Sequence, residues 1–191
     1  MRLRTVAKAP VRSALHRWHK LLGGCNMSII FDRVSIRKYE DRPVEDDKIK
    51  EIIRAGCAAP SAGNQQPWEF YVVRNKDILE KLSHVHQWSG LIKDAAFAIV
   101  PCYKNEGLWA QQYEHIDMAA CTENMLLAIT ELGLGGVWIG IAPEKDRMQM
   151  VNDILGLPHN LSPFAVIPAG YPAENRAQEN RYDEARIHYM D

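Results

Sequence analysis

Two arginines and a serine alternate near the start of the chain, in the order Arg33, Ser35 and Arg37. Alternate side chains of an extended segment project to the same side, so the three groups would share one face. Guanidinium groups bind phosphate oxygens in bidentate fashion, and a hydroxyl adds a further donor. The pattern therefore predicts a phosphate-binding clamp, with a solvated edge strand as the alternative.

A second polar cluster lies in residues 60–68, which read Pro-Ser-Ala-Gly-Asn-Gln-Gln-Pro-Trp. The two prolines interrupt helical structure at both ends of this loop. The carboxamides of Asn64, Gln65 and Gln66 can donate and accept hydrogen bonds in one plane, as a flat heterocycle with mixed edge groups would require. A binding loop and an ordinary polar surface turn both fit this composition.

A glycine-rich stretch, Gly133-Leu134-Gly135-Gly136, follows a predicted helix. Its open backbone would let N–H groups approach a ligand closely. It lacks the full Gly-x-Gly-x-x-Gly pattern and does not open a helix, which argues against a Rossmann dinucleotide site. The alternative is a helix C-cap that leads into a strand.

Other reactive side chains form no recognisable site. His84 and His86 have no matched acidic or thiol partner for a metal ion. Ser61 lies outside a Gly-x-Ser-x-Gly elbow and Cys121 lies within a helical pattern, so neither is favoured as a nucleophile. The four cysteines are scattered without metal-like spacing, which predicts no metal site and a reducing, cytoplasmic compartment.

The elements that would position these residues follow from periodicity and from proline and glycine positions. Their order predicts an α+β fold, a three-layer sandwich, and 191 residues suffice for one domain with a sizeable core. We expect helices at 49–59, 77–83, 113–132 and 144–155, and strands at 69–74, 95–101, 135–142 and 163–171.

The predicted helix at 113–132 is apolar or small around most of its circumference. Such a helix needs cover on several sides, and a domain of this size has little other chain to supply it. We therefore expect this helix to contribute to a subunit interface.

Charge divides the chain into two parts. Residues 1–26 contain six basic residues and no acid, which leaves 17 bases against 24 acids in the remainder. This basic N-terminal extension could be a transit peptide, a basic arm, or sequence upstream of a start at Met27, of which we favour the last. The acidic body, 27–191, argues against nucleic acid as a partner, and no apolar run is long enough to span a membrane.

Taken together and in this order, the motifs resemble those of the FMN-dependent nitroreductase family. The resemblance covers about residues 28–190 and includes the end of the chain. The matching motifs are Arg33-x-Ser35-x-Arg37, Pro60-Ser61-x-x-Asn64-x-Gln66-Pro67-Trp68, Gly133-Leu134-Gly135-Gly136, Gly170-Tyr171-Pro172 and Arg181-Tyr182-Asp183-Glu184-x-Arg186-Ile187-His188-Tyr189.

The resemblance implies a homodimer in which a central, mostly antiparallel sheet is flanked by helices. Each FMN would lie at the subunit interface and touch both chains. Arg33, Ser35 and Arg37 would then hold the FMN phosphate and ribityl chain, with Arg181 as a second phosphate contact.

The other motifs would surround the flavin ring. The resemblance places Pro60, Ser61 and Asn64 along the ring and ribityl chain, with Asn64 bonded to the ring edge and Gln66 in the same shell. The backbones of Gly135 and Gly136 would lie beside the isoalloxazine, where a side chain would obstruct stacking.

The implied activity is that of an NAD(P)H-dependent FMN oxidoreductase. Hydride would pass from NADH or NADPH to flavin N5 and then to a nitroaromatic, quinone or similar conjugated acceptor in a ping-pong cycle. The cofactor then carries the chemistry, and no side chain is expected to be catalytic. Three alternatives remain: another reaction on the same scaffold, such as dehalogenation or enoate reduction, an FMN-binding sensor or carrier, and an interaction protein with accidental motif matches.

The chain resembles a short member of that family, because the extra helices that often cover the flavin are largely missing. The resemblance therefore implies an open, permissive acceptor site. We expect the segments 84–90 and 104–112 to form its movable walls.

Overall fold

The structure is a computed structural model that describes residues 28–190. The expected basic extension, 1–26, lies outside the described residues. The helices are α1 (Ser28–Asp32), α2 (Asp46–Cys57), α3 (Lys76–Leu82), α4 (Glu114–Glu131) and α5 (Lys145–Leu155). The strands are β1 (Trp68–Val73), β2 (Phe97–Lys104), β3 (Gly135–Gly136), β4 (Ile139–Gly140), β5 (Leu161–Pro163) and β6 (Ala165–Gly170).

Every strand pairing in the sheet is antiparallel. The strand order is β1-β2-β6-β3, with β4 paired to β6 and β5 paired to β2. All six residues of β6 and all but the last residue of β2 are buried. Such continuous apolar strands are expected in a sheet that is covered on both faces.

Two hydrophobic clusters show that helices cover both faces. One cluster joins the sheet to α2 and α4, through residues such as Ile52, Met118 and Met125. The other joins it to α3 and α5, through residues such as Leu79 and Val151. The expected α+β three-layer sandwich with an antiparallel central sheet is therefore confirmed.

Local details correct two of the expected elements. The single strand expected at 135–142 is instead β3 and β4, separated by Val137 and Trp138. The strand expected at 163–171 is divided at Phe164, whose N–H donates to the carbonyl of Pro101. The apolar runs predicted extended backbone in these stretches, but such a run contains no information about where a strand changes its partner.

The segment that carries Arg33 to Arg37 is fastened to the end of the sheet. Ser35 forms an isolated bridge with Gly136, and the N–H of Ile36 donates to the Gly136 carbonyl at 3.0 Å. The Tyr39 hydroxyl donates a hydrogen bond shared between the carbonyls of Ile36 and Pro168, 2.9 and 3.1 Å away. Burial raises the pKa of Tyr39 well above its usual range, so this hydroxyl stays a donor.

The chain after β6 runs beside the same segment. The N–H of Glu40 donates to the carbonyl of Tyr171, and the N–H of Ala173 donates to the carbonyl of Lys38. Two stretches that are distant in sequence, 33–40 and 171–181, are thereby brought side by side.

Among the described residues, no helix combines the length and the apolar composition needed to cross a membrane.

The contact between Gly135 and Ile36 yields a first prediction. A Cβ at position 135 would lie 2.6 Å from the Cβ of Ile36, whereas a Cβ at Gly140 would meet nothing within 4 Å. We expect Gly135→Ala to lower the free energy of unfolding by about 2 kcal/mol, because overpacking displaces the 33–39 segment. Gly140→Ala is the matched control and should stay within about 0.5 kcal/mol of the parent chain.

Urea unfolding of both variants at one protein concentration makes the comparison. Equal stability of the two variants would show that the segment is not held by this contact.

Candidate active site

Four arginines line a cavity of about 210 Å³. A volume of this size can receive a phosphate group, and arginine is the side chain best suited to bind one. The lining residues come from two stretches and are Arg33, Val34, Ser35, Arg37, Arg176, Ala177, Gln178, Glu179 and Arg181.

The expected clamp residues thus lie together in space. Arg33, Ser35 and Arg37 all line the cavity, while Ile36 between them is buried. Arg181 lines the same cavity from the chain that follows β6.

Nearby carboxylates moderate the positive charge of the cavity. Arg33 Nε lies 3.4 Å from Oε1 of Glu123 on α4, and the backbone N–H of Arg37 donates to Glu174. Glu179 also lines the cavity. Within residues 28–190 the Ser35 hydroxyl has no hydrogen-bond partner, so it can donate to an anion. The arginines still outnumber these three carboxylates, and the site favours an anion.

Arg176 was missed in the sequence. It lines the cavity opposite the clamp segment, five residues before Arg181. The chain around Arg176 has no regular secondary structure. This stretch is held by contacts such as the hydrogen bond from Gln178 Nε2 to the carbonyl of Ile30 at 3.3 Å. No periodic pattern could have placed its side chain, although a second basic residue in the tail was a usable signal.

The loop at 60–67 has an unusual backbone. It contains a single turn of 3-10 helix at Ala62–Asn64, and three of its residues have positive φ: 52° at Gly63, 57° at Asn64 and 48° at Gln66. Positive φ is uncommon for residues other than glycine, and it is least costly for asparagine. Such a backbone persists only where surrounding contacts hold it.

Asp117 is the main inward anchor of this loop. It lies in the first turn of α4 and is only 4% exposed. One of its carboxyl oxygens accepts from the N–H of Ala62 at 2.9 Å, and the other accepts from Gln65 Nε2 at 2.7 Å. Asp117 was also missed in the sequence, where it is one acidic residue in a largely apolar helix.

Gln65 has a different orientation from the one we expected. Its side chain points inward and makes a two-way contact with the backbone of Ala110, accepting from the N–H at 3.2 Å and donating to the carbonyl at 3.1 Å. The three carboxamides therefore do not form one plane. Gln65 instead ties the 60–67 loop to residue 110.

Asn64 and Gln66 are the outward-facing pair. Both are exposed, and Gln66 Nε2 donates to Asn64 Oδ1 at 2.9 Å. Ser61 Oγ accepts from the backbone N–H of Gln66 at 3.0 Å, and Pro60 is exposed at the start of the loop. Within residues 28–190, Asn64 Nδ2 and Gln66 Oε1 have no partner, which leaves a donor and an acceptor for a ligand.

Gly135 and Gly136 are both buried in β3. A Cβ at Gly135 would overlap Ile36, and one at Gly136 would lie 3.2 Å from both Ile129 and the Pro168 carbonyl. Packing therefore accounts for both glycines, and a backbone contact to a flavin stays a prediction.

The arginine cavity and the 60–67 loop are separate within one chain. The lining of the cavity includes no residue of the loop. No hydrogen bond or ion pair among residues 28–190 joins 33–37 or 176–181 to 60–67. This cavity therefore brings together the first group of predicted ligand residues without the second.

Comparison with known proteins agrees with the sequence motifs. The profile of the Nitroreductase family matches residues 30–112 and 88–171. A protein of Methanothermobacter thermautotrophicus, provisionally named NADH dehydrogenase/NAD(P)H nitroreductase, is 41% identical over 167 residues, which is 85% of each chain. The chain belongs to the nitroreductase family.

Solved structures of nitroreductase-like proteins have the same fold. One from Clostridium acetobutylicum, provisionally named an NADH oxidase, is 40% identical with a TM-score of 0.83, over 85% of this chain and 99% of that one. Another, from Desulfovibrio desulfuricans, is provisionally named a nitroreductase and was solved in complex with FMN. It is 29% identical with a TM-score of 0.75, over 88% of this chain and 98% of that one.

The buried thiols of Cys102 and Cys121 are poor nucleophiles. Burial raises the pKa of Cys102 and of Cys121 to about 12, so both thiols are protonated at neutral pH. Among the described residues, no group of three or more histidine, cysteine or acidic side chains could hold a metal ion.

The two hydrogen bonds of Asp117 yield a second prediction. In Asp117→Asn, one carboxyl oxygen becomes an NH₂ group that faces either the Ala62 N–H or Gln65 Nε2, both of which are donors. We expect the free energy of unfolding to fall by about 2 kcal/mol, since a buried donor loses its acceptor. Binding of FMN should weaken as well, because the loop loses its fixed shape.

Thr122→Val is the matched control on the same helix. Thr122 is fully buried and its hydroxyl has no hydrogen-bond partner among residues 28–190, so the change should be neutral or slightly stabilising. Urea unfolding and an FMN titration compare the two variants. If Asp117→Asn behaves like Thr122→Val in both, Asp117 does not anchor the loop.

Proposed function

We propose that this protein is an FMN-dependent NAD(P)H oxidoreductase that reduces nitroaromatics, quinones or similar conjugated acceptors. The observation that carries the proposal is the cavity lined by Arg33, Arg37, Arg176 and Arg181, with the hydroxyl of Ser35 among them. This donor set suits a phosphorylated ligand. The relatives described above include a protein named NADH dehydrogenase/NAD(P)H nitroreductase and a nitroreductase solved in complex with FMN.

The residues of this chain bind and orient the cofactor. The arginines hold the phosphate, and Ser35 donates a further hydrogen bond to it. Asn64 Nδ2 and Gln66 Oε1 supply one donor and one acceptor to the edge of the ring. The strained backbone of the loop is held by Asp117 before the ligand arrives, so binding needs little further ordering.

When held by the arginine cavity and the 60–67 loop, FMN would supply the redox chemistry that NADH or NADPH, as donor, and the conjugated acceptor both need. The two substrates therefore follow one another in the same slot, a ping-pong cycle. No side chain is required as a nucleophile, which agrees with the protonated state of the buried thiols. Among residues 28–190, Cys57, Cys102 and Cys121 form no disulfide, which favours a reducing compartment, and we propose the cytoplasm.

We further propose that the active unit is a homodimer, with each FMN held by the arginine cavity of one chain and the 60–67 loop of its partner. The separation of these two parts within one chain supports this arrangement. Apolar surface also remains beside them. Ile30 on α1 is 47% exposed and Ile116 on α4 is 63% exposed, as a helix at a subunit interface would be.

A third prediction tests the cofactor and its clamp. The full chain, purified and saturated with FMN, should show a flavin spectrum that bleaches anaerobically with NADH or NADPH. Arg37→Ala should weaken FMN binding on the order of 10–100-fold, because it removes a charge-assisted contact to the phosphate. Arg54→Ala removes an equal charge from an exposed pair with Glu51 on α2 and should leave the dissociation constant unchanged.

The outcomes separate the alternatives. A bound flavin that stays oxidised with both nicotinamides would support a sensor or carrier. Protein that binds no FMN would overturn the proposal, and full retention of FMN by Arg37→Ala would overturn the clamp.

A fourth prediction tests the shared site. Ile116→Arg places a charge on the exposed face of α4 and should give a monomer that keeps its fold but loses FMN. Met150→Arg is the matched control, since Met150 is 41% exposed on α5, in the other helical layer.

Sedimentation equilibrium, circular dichroism and flavin absorbance report mass, fold and cofactor. A folded monomer that binds FMN as tightly as the parent would show that one chain forms the whole site.

A further inference from the structure

Trp109 is a large aromatic side chain left in solvent beside the candidate cofactor loop. Its side chain is 72% exposed. One part of the indole lies against Gly63, so closely that a Cβ at position 63 would be 2.1 Å from Cζ2 and 2.5 Å from Cε2 and Nε1. The indole thus contacts the 60–67 loop through the edge that contains Nε1 and Cζ2, while most of its surface is exposed to solvent.

The position of this indole is fixed by its neighbours. Ala110, the next residue, is 1% exposed and makes the two-way contact with Gln65. Gln65 in turn donates to the buried Asp117 of α4. Further along the segment, Gln111 Nε2 donates to the carbonyl of Asn105 at 2.7 Å. The exposed tryptophan therefore belongs to a segment that is anchored to the loop.

We propose that Trp109 is the stacking surface of the acceptor pocket and selects flat, conjugated acceptors. The inference rests on the proposed function. An exposed indole prefers a planar partner, because the face of one π-system packs against another over a large area. The indole lies on the same loop that presents Asn64 Nδ2 and Gln66 Oε1, so a planar molecule bound at the ring would reach it.

The structure also refines the expected walls of the acceptor site. The segment 84–90 packs in the layer of α3 and α5, where Val85 joins the second hydrophobic cluster. The 60–67 loop is attached instead to α4, in the opposite layer. Of the two segments, only 104–112 contacts the loop through the hydrogen bonds described above.

The other layer provides a matched control. Trp88 is 70% exposed, nearly as exposed as Trp109, and its backbone N–H donates to Nδ1 of His86. Trp88→Ala removes a similarly exposed indole from a segment that packs in the layer of α3 and α5.

The fifth prediction compares Trp109→Ala, Trp109→Phe and Trp88→Ala in the full chain saturated with FMN. The first readout is the dissociation constant of 4-nitrobenzoate, measured by calorimetry on the oxidised protein. Trp109→Ala should raise it about tenfold, Trp109→Phe should restore most of the affinity, and Trp88→Ala should not change it.

The second readout separates stacking from general damage. The protein is reduced anaerobically with dithionite and then mixed with either menadione or ferricyanide. The reoxidation rate constant of Trp109→Ala should fall about tenfold with planar menadione and stay unchanged with octahedral ferricyanide.

Each outcome has one meaning. Suppose that the parent protein bleaches with NADH, but that Trp109→Ala and Trp88→Ala have the same 4-nitrobenzoate affinity and the same reoxidation rate constants. This result would overturn the stacking role and leave the proposed function standing. A tenfold loss of FMN affinity in Trp109→Ala would overturn it in favour of a cofactor contact, and a change of mass would overturn it in favour of a subunit contact. A parent protein without flavin would overturn both proposals.

Discussion

The close approach of Ile36 to Gly135 is the constraint on which the rest of the site depends. Because position 135 has no side chain, the 33–39 segment can lie directly against β3 and bond to Gly136. Tyr39 then fixes the segment to β6, and the chain after β6 runs back alongside it. Four arginines from distant parts of the sequence meet only because of this packing. A glycine that suggests a ligand contact in the sequence acts here first as a packing residue.

The sequence predicted the layers and most elements because their signals are local. The periodicity of α5 and the apolar run of β2 each need only about ten neighbouring residues to be recognised. Gly133 after α4 is likewise a local signal. Its N–H and that of Leu134 donate to the carbonyls of Thr130 and Ile129 and close the helix as expected. The division of the expected strand 135–142 depends on which neighbour each half pairs with. That choice is made by the tertiary structure and leaves no local pattern.

The site was predicted less completely than the fold for the same reason. The motifs identified Arg33, Ser35, Arg37 and the loop, since residue type and spacing within one segment reveal them. Arg176 enters the cavity through an irregular tail, whose course is set by backbone contacts to the 28–40 segment. Gln65 stands between two outward carboxamides in the sequence, yet it turns inward because Asp117 and Ala110 both bond to it. Composition could not separate these roles.

The loop shows how a polar, exposed segment can still be rigid. Positive φ at Asn64 and Gln66 costs roughly 1 kcal/mol each, which is comparable to the contribution of one ordinary hydrogen bond. Asp117 supplies two bonds to the loop from a buried position, where they are stronger than in water. The strain is thus offset beneath the loop, and Asn64 Nδ2 and Gln66 Oε1 on top can bond to a ligand. Gln65 bonds both to Asp117 and to Ala110, the residue next to Trp109. The groups that would contact the cofactor and the acceptor are therefore linked through one buried network.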